Sequence, residues 1–142
     1  MGIPKGIAWQ APLYLQFSAG PNAALLTLPD VTIWQADADV EIVWAAEIHE
    51  VLGTDGSAVT ADLVKVPDGT VAGSGTSLLA TTFNLKATVA TRQVRALSAG
   101  TLASDRIIYA GQRLAINFGG TMTAVAGVNI TVVLNRLNRP SW

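Results

Sequence analysis

The sequence predicts an all-β protein: a single antiparallel β-sandwich domain, jelly-roll-like, with extended terminal arms. Two observations lead to this fold class. Apolar residues recur at every second position in several short segments, as they do in strands that are buried on one face. Glycine-containing turn sequences separate those segments, and about eight short strands joined by such turns are typical of sandwiches and jelly rolls. These turns are Gly53-Thr54-Asp55-Gly56, Pro67-Asp68-Gly69, Gly73-Ser74-Gly75 and Gly119-Gly120.

Two long alternating runs define the centre of the predicted sandwich. In the first run, one apolar face consists of Val40, Ile42, Trp44, Ala46 and Ile48. Glu41, Glu47 and His49 fall on the opposite face, with Val43 and Ala45 between them, and we expect this to be the polar side of the strand. The second run places Val128, Ile130, Val132 and Leu134 on one face.

Shorter segments supply the remaining strands. In chain order they are Leu13–Phe17, Thr32–Gln35, Ala61–Val66, Thr82–Ala87 and Arg113–Phe118. A short helix is predicted at Thr76–Leu79, after a glycine-serine loop, and Thr88–Leu97 fits neither the strand nor the helix period. The predicted core consists of Ile42, Trp44, Ile48, Leu114, Ile116, Phe118, Ile130, Val132 and Leu134.

The length of 142 residues indicates one domain. We divide the chain into an N-terminal arm (1–12), the β-sandwich domain (13–137) and a C-terminal tail (138–142). Both ends lack periodicity and contain proline and tryptophan, so they either pack on a neighbouring chain or fold back onto their own sandwich. The candidate interface residues in the two ends are Ile3, Pro4, Ile7, Trp9, Arg139, Pro140 and Trp142.

The composition predicts burial of apolar surface against other chains. Hydrophobic residues make up 50% of the chain and charged residues 13%, and the mean hydropathy is +0.40. No segment is apolar over the roughly 18 residues that a membrane-spanning helix requires, so no membrane partner is predicted. A net charge of −1 gives no reason to expect a nucleic-acid partner. Permanent protein interfaces are depleted in charge, and we therefore expect a homo-oligomer.

The sequence offers no set of residues for catalysis, and we predict that the protein is not an enzyme. Cysteine is absent and His49 is the one histidine. His49 lies between Glu47 and Glu50, but no nucleophile accompanies this possible general base, so an exposed or interface position is expected. Asp37, Asp39 and Glu41 alternate along one segment and read as a solvated strand edge. We predict no catalytic residues, no metal site and no cofactor.

The second half of the chain carries a resemblance to a known family. The segments concerned are Gly75-Thr76-Ser77-Leu78-Leu79, Thr82-Phe83-Asn84-Leu85-Lys86, the run from Ala110 to Phe118, Gly120-Thr121-Met122-Thr123 and Val128–Leu134. In this order they resemble small virion proteins of tailed bacteriophages, especially capsid decoration (cement) proteins. The resemblance covers roughly residues 40–137 and includes no shared functional residues that can be transferred by position.

The resemblance implies a structural virion protein. Such a protein would bind the outside of the phage head, clamp neighbouring major capsid subunits and assemble as a homotrimer on the capsid surface. Its partners would be the major capsid protein and further copies of itself. The alternative is a receptor- or glycan-binding knob of a phage head fibre or tail.

Overall fold

The computed structural model describes residues 12–18, 30–98 and 103–137. The described residues form ten strands and two short 3₁₀-helices, with no α-helix among them. The strands are β1 (Leu13–Ser18), β2 (Asp30–Gln35), β3 (Val40–Ile48), β4 (Thr60–Val66), β5 (Thr76–Ser77), β6 (Phe83–Asn84), β7 (Gln93–Arg95), β8 (Ile107–Ile108), β9 (Arg113–Gly119) and β10 (Asn129–Arg136). The 3₁₀-helices are Ala72–Ser74 and Ala103–Arg106.

Two antiparallel five-stranded sheets pack face to face and confirm the predicted all-β sandwich. In the first sheet the order is β1-β10-β3-β7, and β8 also pairs with β3. In the second the order is β2-β9-β4-β5, and β6 also pairs with β4. The strand predicted at Thr82–Ala87 is reduced to β6, and β7 lies within the segment that fitted neither period. The helix predicted at Thr76–Leu79 is wrong, because its first two residues form β5 and pair with β4.

The core lies between the sheets and draws on both. Of the nine predicted core residues, six are buried: Ile42, Leu114, Ile116, Ile130, Val132 and Leu134. Phe118 is partly buried and packs against this core, with its ring 6.2 Å from that of Phe17 on β1. Trp44 and Ile48 were predicted wrongly, since both are half-buried on the outer side of the first sheet.

A β-bulge in β3 explains the error. Along β10, Val133 pairs with Trp44 but the next residue, Leu134, pairs with Ile42, so Val43 is an extra residue in β3. One extra residue reverses the inward and outward positions of the strand from that point on. Ala45, Glu47 and His49 therefore point into the sandwich, and Trp44 and Ile48 point out of it.

The outer face of the second sheet is covered by the chain's own segment 67–75. Val64, Val66 and Ala115 are buried beneath it, and Ala72 packs against them. The Arg113 guanidinium donates a hydrogen bond to the Thr70 carbonyl. With its amide oriented to donate, Asn117 reaches the Ala72 carbonyl at 3.1 Å. This segment covers the part of that outer face formed by β4 and β9.

Candidate interaction face

Within residues 12–18, 30–98 and 103–137, no comparable segment packs over the outer face of the first sheet. Strand register places its side chains in rows that run across the strands. One row is Tyr14, Val133 and Trp44, and a second is Gln16, Thr131, Ala46 and Val94. A third row is Ser18, Asn129 and Ile48. We call these ten residues the open face, and none of them is charged.

The open face exposes large apolar side chains. Tyr14 is 67% exposed and Val94 is 44% exposed, while Val133, Trp44 and Ile48 are half-buried between them. Exposed aromatic and aliphatic side chains that lie among uncharged polar residues are a common composition of protein interfaces. Tyrosine and tryptophan also contribute most often to binding energy in such surfaces.

Arg92 lies over this face. The residue precedes β7, and its guanidinium carbon lies 5.5 Å from the centre of the Trp44 ring. The contact has cation–π geometry, and it fixes the position of an arginine that is otherwise exposed. A positioned arginine beside an aromatic ring is again a common composition of interface hot spots.

Polar side chains lie on and beside the open face. The Gln16 side chain donates to Asn129 Oδ1 at 3.1 Å. At the far end of β10, Arg136 forms an ion pair with Asp37 at 3.3 Å, with both side chains largely in solvent. An exposed pair of this kind contributes at most about 1 kcal/mol to stability. It also means that Asp37 points to Arg136, whereas Asp39 accepts a hydrogen bond from the Ala110 amide at 2.9 Å.

Directly beneath the open face, a polar network is buried inside the sandwich. His49 is 0% and Glu47 is 1% exposed, and His49 Nδ1 lies 2.9 Å from Glu47 Oε1. The other ring nitrogen, Nε2, lies 3.1 Å from the Ala87 carbonyl. The predicted exposed position of His49 is therefore wrong, and the cause is the bulge at Val43.

Side chains from β7 complete the network. Gln93 Nε2 donates to Glu47 Oε2 at 2.7 Å and to the Asn84 carbonyl at 2.8 Å. Gln93 Oε1 accepts from Arg95 at 2.7 Å, and Arg95 Nε donates to the Thr82 carbonyl at 3.0 Å. No buried side-chain nitrogen or oxygen atom in the described residues lacks a hydrogen-bond partner. Burial raises the pKa of the Glu47 carboxyl above its ordinary value, although the nearby His49, Gln93 and Arg95 act in the opposite direction.

The loops at one end of the sandwich are joined by charged side chains. Asp55 accepts from the amides of Ser57 and Thr121, at 3.3 and 3.1 Å. The Lys86 ammonium donates to the carbonyls of Asp55 and Ser57. Hydrogen bonds from Thr121 and Ser57 hold the pKa of the Asp55 carboxyl below its ordinary value. Three separate loops are therefore fixed relative to one another.

The sequence-predicted interface residues are not among these groups. Ile3, Pro4, Ile7, Trp9, Arg139, Pro140 and Trp142 all lie outside the described residues. Sequence reasoning missed Tyr14 and Val94, although Tyr14 alternates with Leu13 and Leu15 and so could have been placed on an outer face. Within 12–18, 30–98 and 103–137, no group of three or more His, Cys, Asp or Glu residues is arranged to hold a metal ion. In the same ranges, no helix is both long and apolar enough to span a bilayer.

Comparison with known proteins identifies a similar fold but no family. The sequence matches no protein-family model and no curated protein. A chain in the structure of the cyanophage Pam1 capsid asymmetric unit is similar with a TM-score of 0.50 and 10% identity, over 96% of this chain and 93% of that chain. A chain in the structure of infectious bursal disease virus, Gx strain, has a TM-score of 0.38 and 14% identity, over 99% of this chain and 37% of that chain.

Proposed function

We propose that this protein is a structural component of a viral capsid, and specifically a decoration protein that binds the outside of a phage head. The observation that carries the proposal is the likeness in fold to a chain of the cyanophage Pam1 capsid asymmetric unit. The aligned region covers 96% of this chain and 93% of that chain, so the likeness is not confined to one part of either chain. The resemblance of residues 40–137 to phage decoration proteins, which was read from the sequence alone, supports the same assignment.

The open face supplies a surface for this role. Its aromatic and aliphatic side chains are uncharged, and the opposite outer face is covered by segment 67–75. Four strands spaced about 4.8 Å apart and about six residues long give a face of roughly 400 Å², which is half of what one partner buries in a standard stable interface. One such contact is weak. Several contacts made by one oligomer would give the clamping strength that a decoration protein needs.

We therefore propose a homotrimer as the binding unit, with the major capsid protein as its partner. Low charge content in a chain with a mean hydropathy of +0.40 supports oligomerisation. The two terminal segments, with Trp9 and Trp142, are proposed as additional contacts to neighbouring chains. Proline in each segment restricts the backbone, which lowers the entropy lost on docking.

The proposal is tested on particles of the phage that encodes the chain. Deletion of its gene should give capsids that lack the protein, and purified protein added back should bind their outer surface in a fixed ratio to the capsid subunit. Electron cryomicroscopy of the two kinds of particle would locate the added density. Density on a tail or fibre instead would favour the receptor-binding alternative, and absence of the protein from wild-type particles would contradict a virion role.

The oligomeric state is tested separately. Light scattering of the purified chain should give a mass three times 14.8 kDa at micromolar concentration. Removal of residues 1–11, or Trp142→Ala, should weaken capsid binding while the circular dichroism of the β-domain is unchanged. Full binding by both variants would restrict attachment to the sandwich itself.

A further inference from the structure

The hydrogen-bond partners of His49 and Glu47 determine how many protons the pair can hold. A backbone carbonyl only accepts, so the contact between His49 Nε2 and the Ala87 carbonyl requires a proton on Nε2. The remaining nitrogen, Nδ1, faces Glu47 Oε1 at 2.9 Å. One proton must lie between these two atoms, because without it two lone pairs would oppose each other in a buried site.

Among the described residues, the other groups around the pair are already hydrogen-bonded, apolar or exposed, so the contact between Nδ1 and Oε1 relies on this proton. Glu47 Oε2 already accepts from Gln93, and the charged group that β7 turns toward the carboxylate is Arg95. The β10 residue that pairs with Glu47 is Ile130, which is apolar and buried. On the neighbouring loop, the Lys86 ammonium is held by the carbonyls of Asp55 and Ser57. Glu50, which follows His49 in the chain, is exposed.

The pair also holds β7 in place. β7 pairs with β3 over three residues, Gln93 to Arg95, and forms the edge of the sheet order β1-β10-β3-β7. The Gln93 side chain connects this short strand to Glu47, while Ala87 and Ala90 contact His49 through its ring and its carbonyl. Together with the backbone pairing and the contact of Arg92 with Trp44, the side chains of the pair therefore attach β7 to β3.

We propose that the Glu47–His49 pair is a proton-dependent clasp: the proton shared between the two side chains holds β7 against β3, and its removal at high pH releases β7 from the sheet. The raised pKa of Glu47 agrees with this proposal, because it favours the protonated carboxyl in the folded protein. A carboxyl whose pKa is higher in the folded protein than in the unfolded chain contributes stability at low pH, and this contribution is lost as the pH rises through the folded value. The clasp stands without the proposed function, but β7 carries Val94 of the open face.

Hydrogen exchange of the backbone amides tests the clasp directly. We expect the protection factors of β7, corrected for the intrinsic pH dependence of exchange, to fall as the pH rises from 4.5 through the higher folded pKa of Glu47. One proton gives a change of up to about tenfold per pH unit. Amides of β10, in the middle of the same sheet, serve as the internal reference and should keep their protection.

The variant Glu47→Gln separates the proton from the contacts. Its side-chain amide nitrogen can donate to unprotonated Nδ1, and its oxygen can accept from Gln93, so every hydrogen bond is retained without a titrating group. We expect β7 protection in this variant to be independent of pH. Glu50→Gln removes an exposed carboxylate nearby and should behave as the wild type. Equal pH profiles for the wild type and Glu47→Gln would overturn the clasp.

A measurement on the unmodified protein gives a second test. The chain contains one histidine, so the imidazole signals in a nitrogen-15 spectrum belong to His49 without ambiguity. Nε2 should carry a proton throughout the titration, and the change at Nδ1 should coincide with the loss of β7 protection. An unprotonated Nε2, or a change at Nδ1 with β7 still protected, would refute the proposal.

Discussion

Tyr14→Ser is the sharpest test of the open face. Tyr14 is 67% exposed, so a partner that covers it fully would bury about 130 Å² of a ring that buries roughly 200 Å² in all. At about 25 cal/mol per Å² this burial contributes about 3 kcal/mol, and ordering the side chain costs about 1 kcal/mol. The remaining 2 kcal/mol or so corresponds to a dissociation constant raised about 30-fold for each contact.

The assay is co-sedimentation of the purified protein with capsids that lack it, over a range of protein concentrations. Because Tyr14 is mostly in solvent, the free energy of unfolding in urea should change by less than about 0.5 kcal/mol. Val94→Ser and Val71→Ser form a matched pair of substitutions at exposed valines. Val94 lies on the open face, and Val71 lies on the segment that covers the second sheet. Val71 is 71% exposed on the covering segment, and its replacement should leave binding unchanged. Equal binding by Tyr14→Ser and the wild type, or an equal loss in Val71→Ser, would refute the assignment of this face.

Three further predictions concern stability and are measured by urea unfolding. Ile116→Ala, at a fully buried site, should cost about 2–5 kcal/mol, and a smaller loss would mean that the core closes around the deletion. Gly120→Ala should lower the free energy of unfolding more than Gly69→Ala. Both glycines have positive φ, which costs an alanine about 1–2 kcal/mol, but at position 120 the added Cβ would also overlap the Ala58 carbonyl oxygen. Equal losses of stability would contradict this reasoning. The difference in stability between the wild type and Asp55→Asn should be present above pH 3.8 and shrink as the pH falls through the lower folded pKa of Asp55, whereas a constant difference would show that the carboxylate charge is unimportant.

Most of the sandwich could be predicted from alternation, because period two is a direct consequence of strand geometry. The assignment of faces was correct on β10, where the alternation of Ile130, Val132 and Leu134 is unbroken. On β3 it failed after Val43. A bulge adds one residue without a distinctive sequence signal, and the reversal that follows brings Glu47 and His49 inside.

The candidate site was less accessible to sequence reasoning for a related reason. Whether an outer face is open or covered depends on where a loop folds back in space. Segment 67–75 reads as an ordinary turn-rich loop, and only its packing over Val64 and Val66 shows that it closes the second sheet. The buried network depends in the same way on Gln93 and Arg95, which lie in a segment whose periodicity was ambiguous.

The difference between the two outer faces limits how copies of this protein can accumulate. A β-sandwich with two adhesive faces can stack without end, because every added copy presents a new adhesive surface. Here the segment over Val64, Val66 and Ala115 buries these apolar side chains on one side, while Tyr14 and Val94 are exposed on the other. In the proposed capsid-bound state, a copy bound through that side turns segment 67–75 to the solvent, where Val71 is exposed but Val64, Val66 and Ala115 are buried. For the decoration role proposed above, this difference between the faces favours a single bound layer over continued stacking.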